Sequence, residues 1–258
     1  MLIDTHTHLD LYGENAASAL REINAARIFS IAVSMDLDSY AATKALAAGQ
    51  PLVVPTFGIH PENAHLYAER LDELVKPTLE TPLIGEIGLD YYFVKEAERY
   101  PAQRTVFEFF LAAARDQGKI VNLHTKGAEA DIVDDVRRYE LPRVIVHWYS
   151  GPLKQFKRMR ELGIYFTVGV ELGHSDHIAT IAREIPDDRL LTETDNPGGT
   201  KWLSGEWGVP GDVRTVYQRL AEVRGTTPDA LEEQVTANFR RLIADDVTLV
   251  AQFDAARA

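Results

Sequence analysis

Short apolar runs alternate with longer amphipathic stretches along the whole chain. The runs are rich in valine, isoleucine and leucine and show little polar alternation, which is typical of parallel strands buried on both faces. We therefore predict strands at residues 2–5, 27–33, 52–57, 83–86, 120–124, 144–147, 164–168 and 190–194. The stretches between them have helical periodicity and predict helices at residues 39–48, 64–79, 102–117, 128–139, 153–162 and 177–185.

Glycines and prolines mark several of the predicted helix boundaries. Gly118 and Gly163 directly follow predicted helices, where glycine readily takes the left-handed conformation that ends a helix. Pro152 stands at a predicted first helical turn, and Thr227 and Pro228 predict the cap and first turn of the last helix. These signals support the alternation of strands and helices.

About eight strand and helix units in about 250 residues match the size of a closed (β/α)8 barrel. We predict an α/β fold of this class, a TIM barrel, as a single domain over residues 1–258, because no linker rich in glycine, serine or proline divides the chain. A doubly wound open sheet is the alternative. In a barrel, the side chains at the carboxyl ends of all strands meet at one mouth.

Composition narrows the classes of function. The chain is 45% hydrophobic and 26% charged, so it can bury a sizeable core, and it has no cysteine for a thiolate zinc site or nucleophile. A net charge of −12 excludes a generic nucleic-acid-binding surface, although cations bound at an enzyme site can neutralise phosphate locally. Because no targeting segment or membrane-length apolar run is visible, we expect a cytoplasmic protein without a membrane partner. The oligomeric state stays open.

Side chains that bind metals stand at the ends of the predicted strands. His6 and His8 are two residues apart on the first strand and therefore point to the same face. Four imidazoles and two carboxylates can hold two divalent ions, such as Zn²⁺, Mg²⁺ or Mn²⁺, if one carboxylate bridges them, and such a pair is typical of hydrolysis. The full set is His6, His8, Glu86, His124, His147 and Asp195.

Longer sequence blocks surround these donors. They are DTHTHLD at residues 4–10, GIHP at 58–61, GEIGLDYY at 85–92, HTK at 124–126, His147 with SG at 150–151, LTETD at 191–195 and TANF at 236–239. Through these blocks, in this order, the chain resembles the TatD-type metal-dependent hydrolases of the amidohydrolase superfamily.

This resemblance implies a distorted TIM barrel with up to two divalent metal ions. It implies that His6, His8 and Asp195 hold one ion, that His124 and His147 hold the other, and that Glu86 bridges them. It also implies that Glu86 and Asp195 are the catalytic carboxylates, with Asp195 orienting the attacking water and taking its proton. Many relatives cleave phosphodiesters as deoxyribonucleases.

The chain departs from the family pattern where the substrate is expected. Lys126 replaces the usual arginine, and NPGG at residues 196–199 replaces a Ser-Pro-Tyr block. Lys126 and Lys201 either meet an anionic substrate or are solvated charges, and Trp202 and Trp207 either stack on the substrate or pack their loop. The predicted substrate contacts are His60, Tyr91, Lys126, Trp148 and Lys201, whereas His65, His174 and His177 are predicted surface residues.

Three functions remain open from the sequence. The leading hypothesis is a phosphodiesterase or deoxyribonuclease of the 3′-5′ exonuclease type acting on single-stranded DNA or a small phosphodiester. The alternative is an amide, ester or aminoacyl-tRNA hydrolase on the same site, because activated water also attacks carbonyl carbon. A non-catalytic protein with structural metals is disfavoured, since the donor set leaves room for solvent.

Overall fold

The computed structural model describes residues 1–257, which form eight short strands surrounded by helices. Each strand overlaps one of the predicted strands, which confirms those predictions. Almost every strand side chain is buried, as expected where helices cover one face and the barrel interior the other. The strands are β1 (Leu2–Thr7), β2 (Ile28–Ala32), β3 (Val53–Pro55), β4 (Ile84–Gly88), β5 (Val121–His124), β6 (Val144–Val146), β7 (Tyr165–Val168) and β8 (Leu190–Thr192).

Helices follow the strands and pack around them. The helices between the strands are α1 (Ala16–Ala26), α2 (Leu37–Ala47), α3 (Asp72–Glu80), α4 (Tyr100–Gln117), α5 (Glu129–Tyr139), α6 (Leu153–Glu161) and α7 (Asp176–Glu184). After β8 come α8 (Gly198–Ser204), α9 (Asp212–Arg224), α10 (Pro228–Leu242) and α11 (Val247–Arg257). Among residues 1–257, none of these helices combines the length and the apolar character needed to cross a membrane.

The strands pair in chain order and all in parallel, as β1-β2-β3 and as β4 to β8. A doubly wound sheet would instead reverse its strand order at a switch point, so the alternative fold is excluded. The fold is a distorted (β/α)8 barrel in which the two sheets meet along two seams.

Few backbone hydrogen bonds join the two sheets at either seam. Between β3 and β4, Phe57 and Ile84 form a parallel bridge, and the amide of Gly85 donates to the Phe57 carbonyl at 2.9 Å. Between β1 and β8, threonine hydroxyls replace ladder bonds, because Thr5 Oγ1 donates to the Thr192 carbonyl at 2.8 Å and Thr192 Oγ1 donates to the Ile3 carbonyl at 2.6 Å. These side-chain bonds, with the backbone bonds from Asp195 to His6 and from His8 to Asn196, join β1 to β8 and the segment after it.

Two helix predictions are wrong in part. The predicted helix at 64–79 is a 3-10 turn at Pro61–Leu66 followed, after a loop, by α3. Ala64 and Leu74 are both buried, so the helical spacing of apolar residues continues across the break and hides it. Thr227 does cap a helix, with its hydroxyl accepting from the amide of Ala230, but that helix is α10 and not the last one.

The unpredicted α11 contributes to the core. Phe253 lies in α11 and is buried against Phe29 of β2 and Phe239 of α10, with both ring centroids 5.0 Å away. The helices α1, α8 and α9 also lie outside the predicted set. The glycine predictions are confirmed, since Gly118 ends α4 with a φ of +63° and Gly163 follows α6 with a φ of +72°.

Candidate metal centre

The structure brings all six predicted metal-binding side chains together at one end of the barrel. His6 lies in β1, Glu86 in β4 and His124 at the end of β5, and the other three follow β1, β6 and β8. All are buried except Asp195, whose side chain keeps 25% of its surface exposed. The open side of the cluster is therefore the side that carries Asp195.

One half of the cluster consists of two imidazoles and one carboxylate. The Oδ1 atom of Asp195 lies 3.2 Å from His8 Nε2 and 3.6 Å from His6 Nε2. The three atoms lie within 4.8 Å of one another, which is the spacing of ligands around a single metal ion.

Glu86 lies between this half and a second one. Its Oε2 atom lies 3.6 Å from His6 Nε2 and 3.5 Å from His8 Nε2. Its Oε1 atom lies 2.9 Å from His124 Nδ1 and 2.8 Å from His147 Nε2. One carboxylate therefore presents an oxygen to each half, as a bridging ligand must.

His60 reaches the same cluster. Its Nε2 atom lies 3.7 Å from Glu86 Oε1, and its ring packs edge-on against His124 with 4.6 Å between centroids. Burial lowers the pKa of His60 to about 3, so its ring is neutral. His60, Glu86 and His124 form a further group that could hold a metal ion, in addition to the substrate contact predicted for His60.

The residues fit a divalent ion by two tests. The Nε2 atom of His6 is buried and has no hydrogen-bond partner among the described residues, which leaves a lone pair or a proton unsatisfied. The ring of His6 also stacks on His147 at 3.8 Å between centroids, so its position is fixed by packing. Neutral imidazoles and carboxylates are the donors that Zn²⁺ and Mn²⁺ accept readily.

The electrostatics of the cluster favour positive charge. Burial would raise the pKa of Glu86, but the surrounding imidazoles, including the hydrogen bond with His124, outweigh it and hold that pKa well below its usual range. Burial would likewise lower the pKa of His8, but the bond to Asp195 outweighs it and raises the pKa to about 9. A proton on His8 therefore offsets carboxylate charge, and a bound metal ion would take over that role as it displaced the proton.

Asp195 is held in an unusual backbone conformation. Its φ of +54° lies in the left-handed region, which is uncommon for residues other than glycine. Its amide donates to the His6 carbonyl at 2.9 Å and its carbonyl accepts from the amide of Gly199 at 2.7 Å. A Cβ atom on Gly199 would lie 2.4 Å from the Thr194 carbonyl oxygen, so only glycine allows α8 to begin this close to Asp195.

Three supporting residues were absent from the sequence prediction. Asp90 Oδ2 lies 2.9 Å from His124 Nε2, and Asn122 Oδ1 lies 3.1 Å from His6 Nδ1, so each sets the orientation of a ring predicted to bind metal. Glu193 Oε1 accepts from the amide of Trp148 at 2.7 Å. Asn122 stands two residues before His124 on one strand, and this same-face spacing was the available signal.

A second pair of buried acids lies beside the cluster. Burial and the charge of Glu193 raise the pKa of Glu171 to about 8, and burial raises the pKa of Glu193 to about 7. Lys126 is near both, and burial lowers its pKa. Its Nζ atom donates to the Trp148 carbonyl at 2.8 Å and to Ser150 Oγ at 2.7 Å, so this predicted substrate contact is engaged within the protein.

The other predicted substrate contacts differ in their surroundings. Trp148 directly follows His147 and is buried, with an edge contact to the exposed Trp202. Tyr91 donates its hydroxyl to Asp131 Oδ2 at 3.1 Å, which directs it towards α5 and not towards the metal cluster. Lys201 lies over the ring of the exposed Trp207. The remaining histidines, His65, His174 and His177, are exposed as predicted.

Comparison with known proteins agrees with this geometry. The family model for TatD-related DNases matches residues 3–244. The chain belongs to this family. Among TatD-related proteins, it is 28% identical over 268 residues to the uncharacterized metal-dependent hydrolase YcfH of Escherichia coli, covering 96% of this chain and 97% of YcfH. It is 32% identical over 152 residues to the 3′-5′ ssDNA/RNA exonuclease TatD of Edwardsiella piscicida, covering 55% of this chain and 57% of that enzyme.

Solved structures of TatD-type proteins share the fold. The TatD homologue YjjV of Escherichia coli superposes with a TM-score of 0.79 at 24% identity, covering 93% of this chain and 97% of YjjV. A TatD-family hydrolase from Entamoeba histolytica has the same TM-score at 18% identity, covering 93% of this chain and 97% of its own. The chain is thus a metal-dependent hydrolase of the TatD family with a distorted barrel fold.

Proposed function

We propose that this protein is a metal-dependent phosphodiesterase that removes nucleotides from the 3′ end of single-stranded DNA. The observation that carries the proposal is the position of Glu86, which offers one oxygen to His6 and His8 and the other to His124 and His147. That arrangement suits two ions a few ångströms apart, the geometry of in-line phosphoryl displacement. The printed name of the Edwardsiella relative supports the choice of substrate.

Divalent ions bound here would supply Lewis-acid charge to the phosphoryl oxygens and lower the pKa of an attacking water. In this proposal His6, His8 and Asp195 would hold one ion and His124 and His147 the other, with Glu86 between the two groups. Asn122 and Asp90 contact the rings of His6 and His124 and leave His6 Nε2 and His124 Nδ1 as the nitrogens that would bind the ions.

Asp195 is the proposed general base. The bond to His8 outweighs burial and lowers the pKa of Asp195, so the carboxylate is ionised and able to accept a proton. It is also the one donor of the six with a partly exposed side chain, at 25%. In this proposal the carboxylate of Asp195 orients the water towards phosphorus and takes its proton.

In this proposal the bound divalent ions would attract the substrate phosphate, because the protein itself has a net negative charge. A net charge of −12 repels a polyanion, and the Lys126 ammonium group already donates to the Trp148 carbonyl and to Ser150 Oγ. The phosphate therefore depends on the bound ions for its attraction, which predicts activity on chain ends and short oligonucleotides and not tight binding along a duplex.

The test is hydrolysis of a single-stranded 20-mer labelled at its 5′ end, with Zn²⁺, Mg²⁺ or Mn²⁺ added separately. We expect a ladder of products shortened one nucleotide at a time from the 3′ end. The same strand with a 3′-terminal phosphorothioate and the matching duplex are controls and should react more slowly. Cleavage of carboxylic esters, amides or aminoacyl-tRNA with no action on DNA would contradict the proposal and favour the alternative hydrolase.

A further inference from the structure

A groove of about 410 Å³ is lined by chain segments that follow β1 and β8, and it takes no part in the mechanism above. This volume falls within the usual range of small-molecule sites. The segment between β1 and α1 forms one wall, α1 adds to it, and the loop before α9 forms the other. The residues that matter here are Leu11, Tyr12, Glu14, Glu22, Pro197 and Trp207.

Two segments that line the groove are close in sequence to His8 and Asp195 of the metal cluster. The amide of Leu11 donates to the His8 carbonyl at 3.2 Å, and the amide of His8 donates to the Asn196 carbonyl at 2.8 Å. Pro197 follows Asp195 by two residues, a span of at most about 7 Å. The groove is therefore built on the two chain segments that directly follow His8 and Asp195.

The walls of the groove display apolar surface. Leu11 is 44% exposed and Trp207 is 61% exposed. Large apolar side chains exposed together around a concavity mark binding surfaces more often than single exposed ones do. Lys201 Nζ lies 3.5 Å from the centroid of the Trp207 ring, which holds the indole in place from one face by a cation–π contact.

The charged side chains that line the groove are carboxylates, and its other polar side chains, Tyr12, Asn15 and Ser18, are neutral. Glu14 and Glu22 line it, and no lysine or arginine does so within the described part of the chain. Glu22 Oε1 accepts from the amide of Gly211 at 3.1 Å, which fixes this carboxylate on the groove wall. A phosphate would be repelled here, whereas a planar group with N–H donors at its edge complements both the indole and the carboxylates.

We propose that this groove binds a nucleobase that carries an exocyclic amino group, cytosine or adenine in preference to thymine. The inference rests on the proposed function, because it places the terminal base of the DNA strand in the groove while the neighbouring phosphodiester meets the metal cluster. Cytosine N4 and adenine N6 are donors, whereas thymine offers an O4 acceptor at the corresponding edge and meets the carboxylates unfavourably.

A binding measurement tests the groove proposal independently of hydrolysis. Metal-loaded protein is titrated with dCMP or dTMP, neither of which contains a phosphodiester to cleave, and tryptophan fluorescence is followed. We expect dCMP to quench the emission at lower concentration than dTMP, and Trp207→Phe to remove most of the dCMP-dependent change. Trp202→Phe is the matched control and keeps it. Equal quenching by both nucleotides, or quenching unaffected by Trp207→Phe, overturns the proposal.

Kinetic measurements then test the groove proposal separately from the proposed nuclease function. Oligonucleotides that differ only in a 3′-terminal dC or dT are compared by kcat/KM. Trp207→Ala should reduce kcat/KM about 5- to 150-fold, the change expected for loss of one base–aromatic stack. Glu14→Gln should bring the dC to dT ratio towards one, whereas Glu69→Gln, at an exposed position outside the groove, should leave it unchanged.

Three outcomes distinguish failure of the groove proposal from failure of the nuclease assignment. If the wild-type protein degrades both oligonucleotides equally and neither variant changes the rates, the groove proposal is overturned while the nuclease function stands. If the protein cleaves no oligonucleotide and dCMP binding does not depend on Trp207, both fail. Trp207-dependent binding of dCMP without cleavage supports the groove as a base site and removes the exonuclease assignment alone.

Discussion

The carboxylate of Asp90 holds His124 from the side opposite the metal cluster. Asp90 Oδ2 lies 2.9 Å from His124 Nε2, while Nδ1 of the same ring lies 2.9 Å from Glu86. The other oxygen of Asp90 accepts from the amides of Tyr92 and Phe93 at 2.8 and 2.7 Å. Asp90 thereby joins a proposed metal ligand to an exposed aromatic turn, and fixes which ring nitrogen of His124 is free to bind an ion.

Asp90→Asn should weaken metal binding without unfolding the protein. With the asparagine oxygen on the Tyr92 and Phe93 amides, its NH₂ group faces His124 Nε2, and the ring proton moves to Nδ1, where it blocks the ion. We expect a 10- to 100-fold loss of metal affinity, measured by competition with a chromogenic chelator. Asp38→Asn, at an exposed position in α2, is the control. Unchanged affinity in Asp90→Asn would show that Asp90 does not orient the ring.

Asp195→Asn should abolish turnover more than metal binding. An amide cannot accept the proton of water, whereas its oxygen can still contact an ion. We expect kcat to fall at least about 100-fold, the contribution of a positioned general base. Metal content is measured on the same sample. Near-normal kcat in a variant that retains its metal would remove Asp195 from the role of base.

Removal of metal should affect both activity and stability. Dialysis against a chelator should abolish hydrolysis, and titration with Zn²⁺, Mn²⁺ or Mg²⁺ should restore it. Because an ion binds the native site and not the unfolded chain, metal at about 100 times its dissociation constant should raise Tm by roughly 5 to 11 °C. Differential scanning calorimetry measures the shift. Full activity after complete chelation is the contrary result.

Glu171→Gln should stabilise the protein at high pH. Burial and Glu193 raise the pKa of Glu171 from 4.5 to about 8, so the native state holds a proton that the unfolded chain releases. Stability from this group is therefore present below about pH 4.5 and is lost as the pH rises towards about 8. We expect a higher Tm for the variant at pH 8.5 and little change at pH 5. Glu69→Gln is the exposed control, and equal shifts at both pH values would contradict the linkage.

Phe253→Ala should destabilise the protein, because Phe253 packs α11 against the barrel. The ring is fully buried between Phe29 and Phe239, so its removal leaves a cavity that the neighbouring rings fill only partly. We expect the free energy of unfolding to fall by about 3–5 kcal/mol in urea titrations. Val247→Ala lies in the same helix at 81% exposure and should change it by less than about 0.5 kcal/mol. A small effect of Phe253→Ala would mean that α11 is not part of the cooperative core.

The local sequence predicted the strands well and the helices less completely. Each strand is a continuous apolar run, because it is buried on both faces, and such runs are visible without knowing their partners. The break between the 3-10 turn at Pro61–Leu66 and α3 was missed because apolar residues keep helical spacing across it. The last helix, α11, was missed although Phe253 and its neighbours are buried at helical spacing.

The sequence by itself determined the strands, the barrel class and the six side chains that meet at one end of the barrel, because each of the six lies at or after the end of an apolar strand and parallel strands bring their carboxyl ends to one mouth. Only the tertiary structure decided that Glu86 faces both halves, that Asp90 supports His124 and that Tyr91 turns towards Asp131. It alone also revealed the groove between Leu11 and Trp207. The physical reason is that a strand fixes the direction of its own side chains, whereas contacts between loops depend on distances between chain segments that no local pattern encodes.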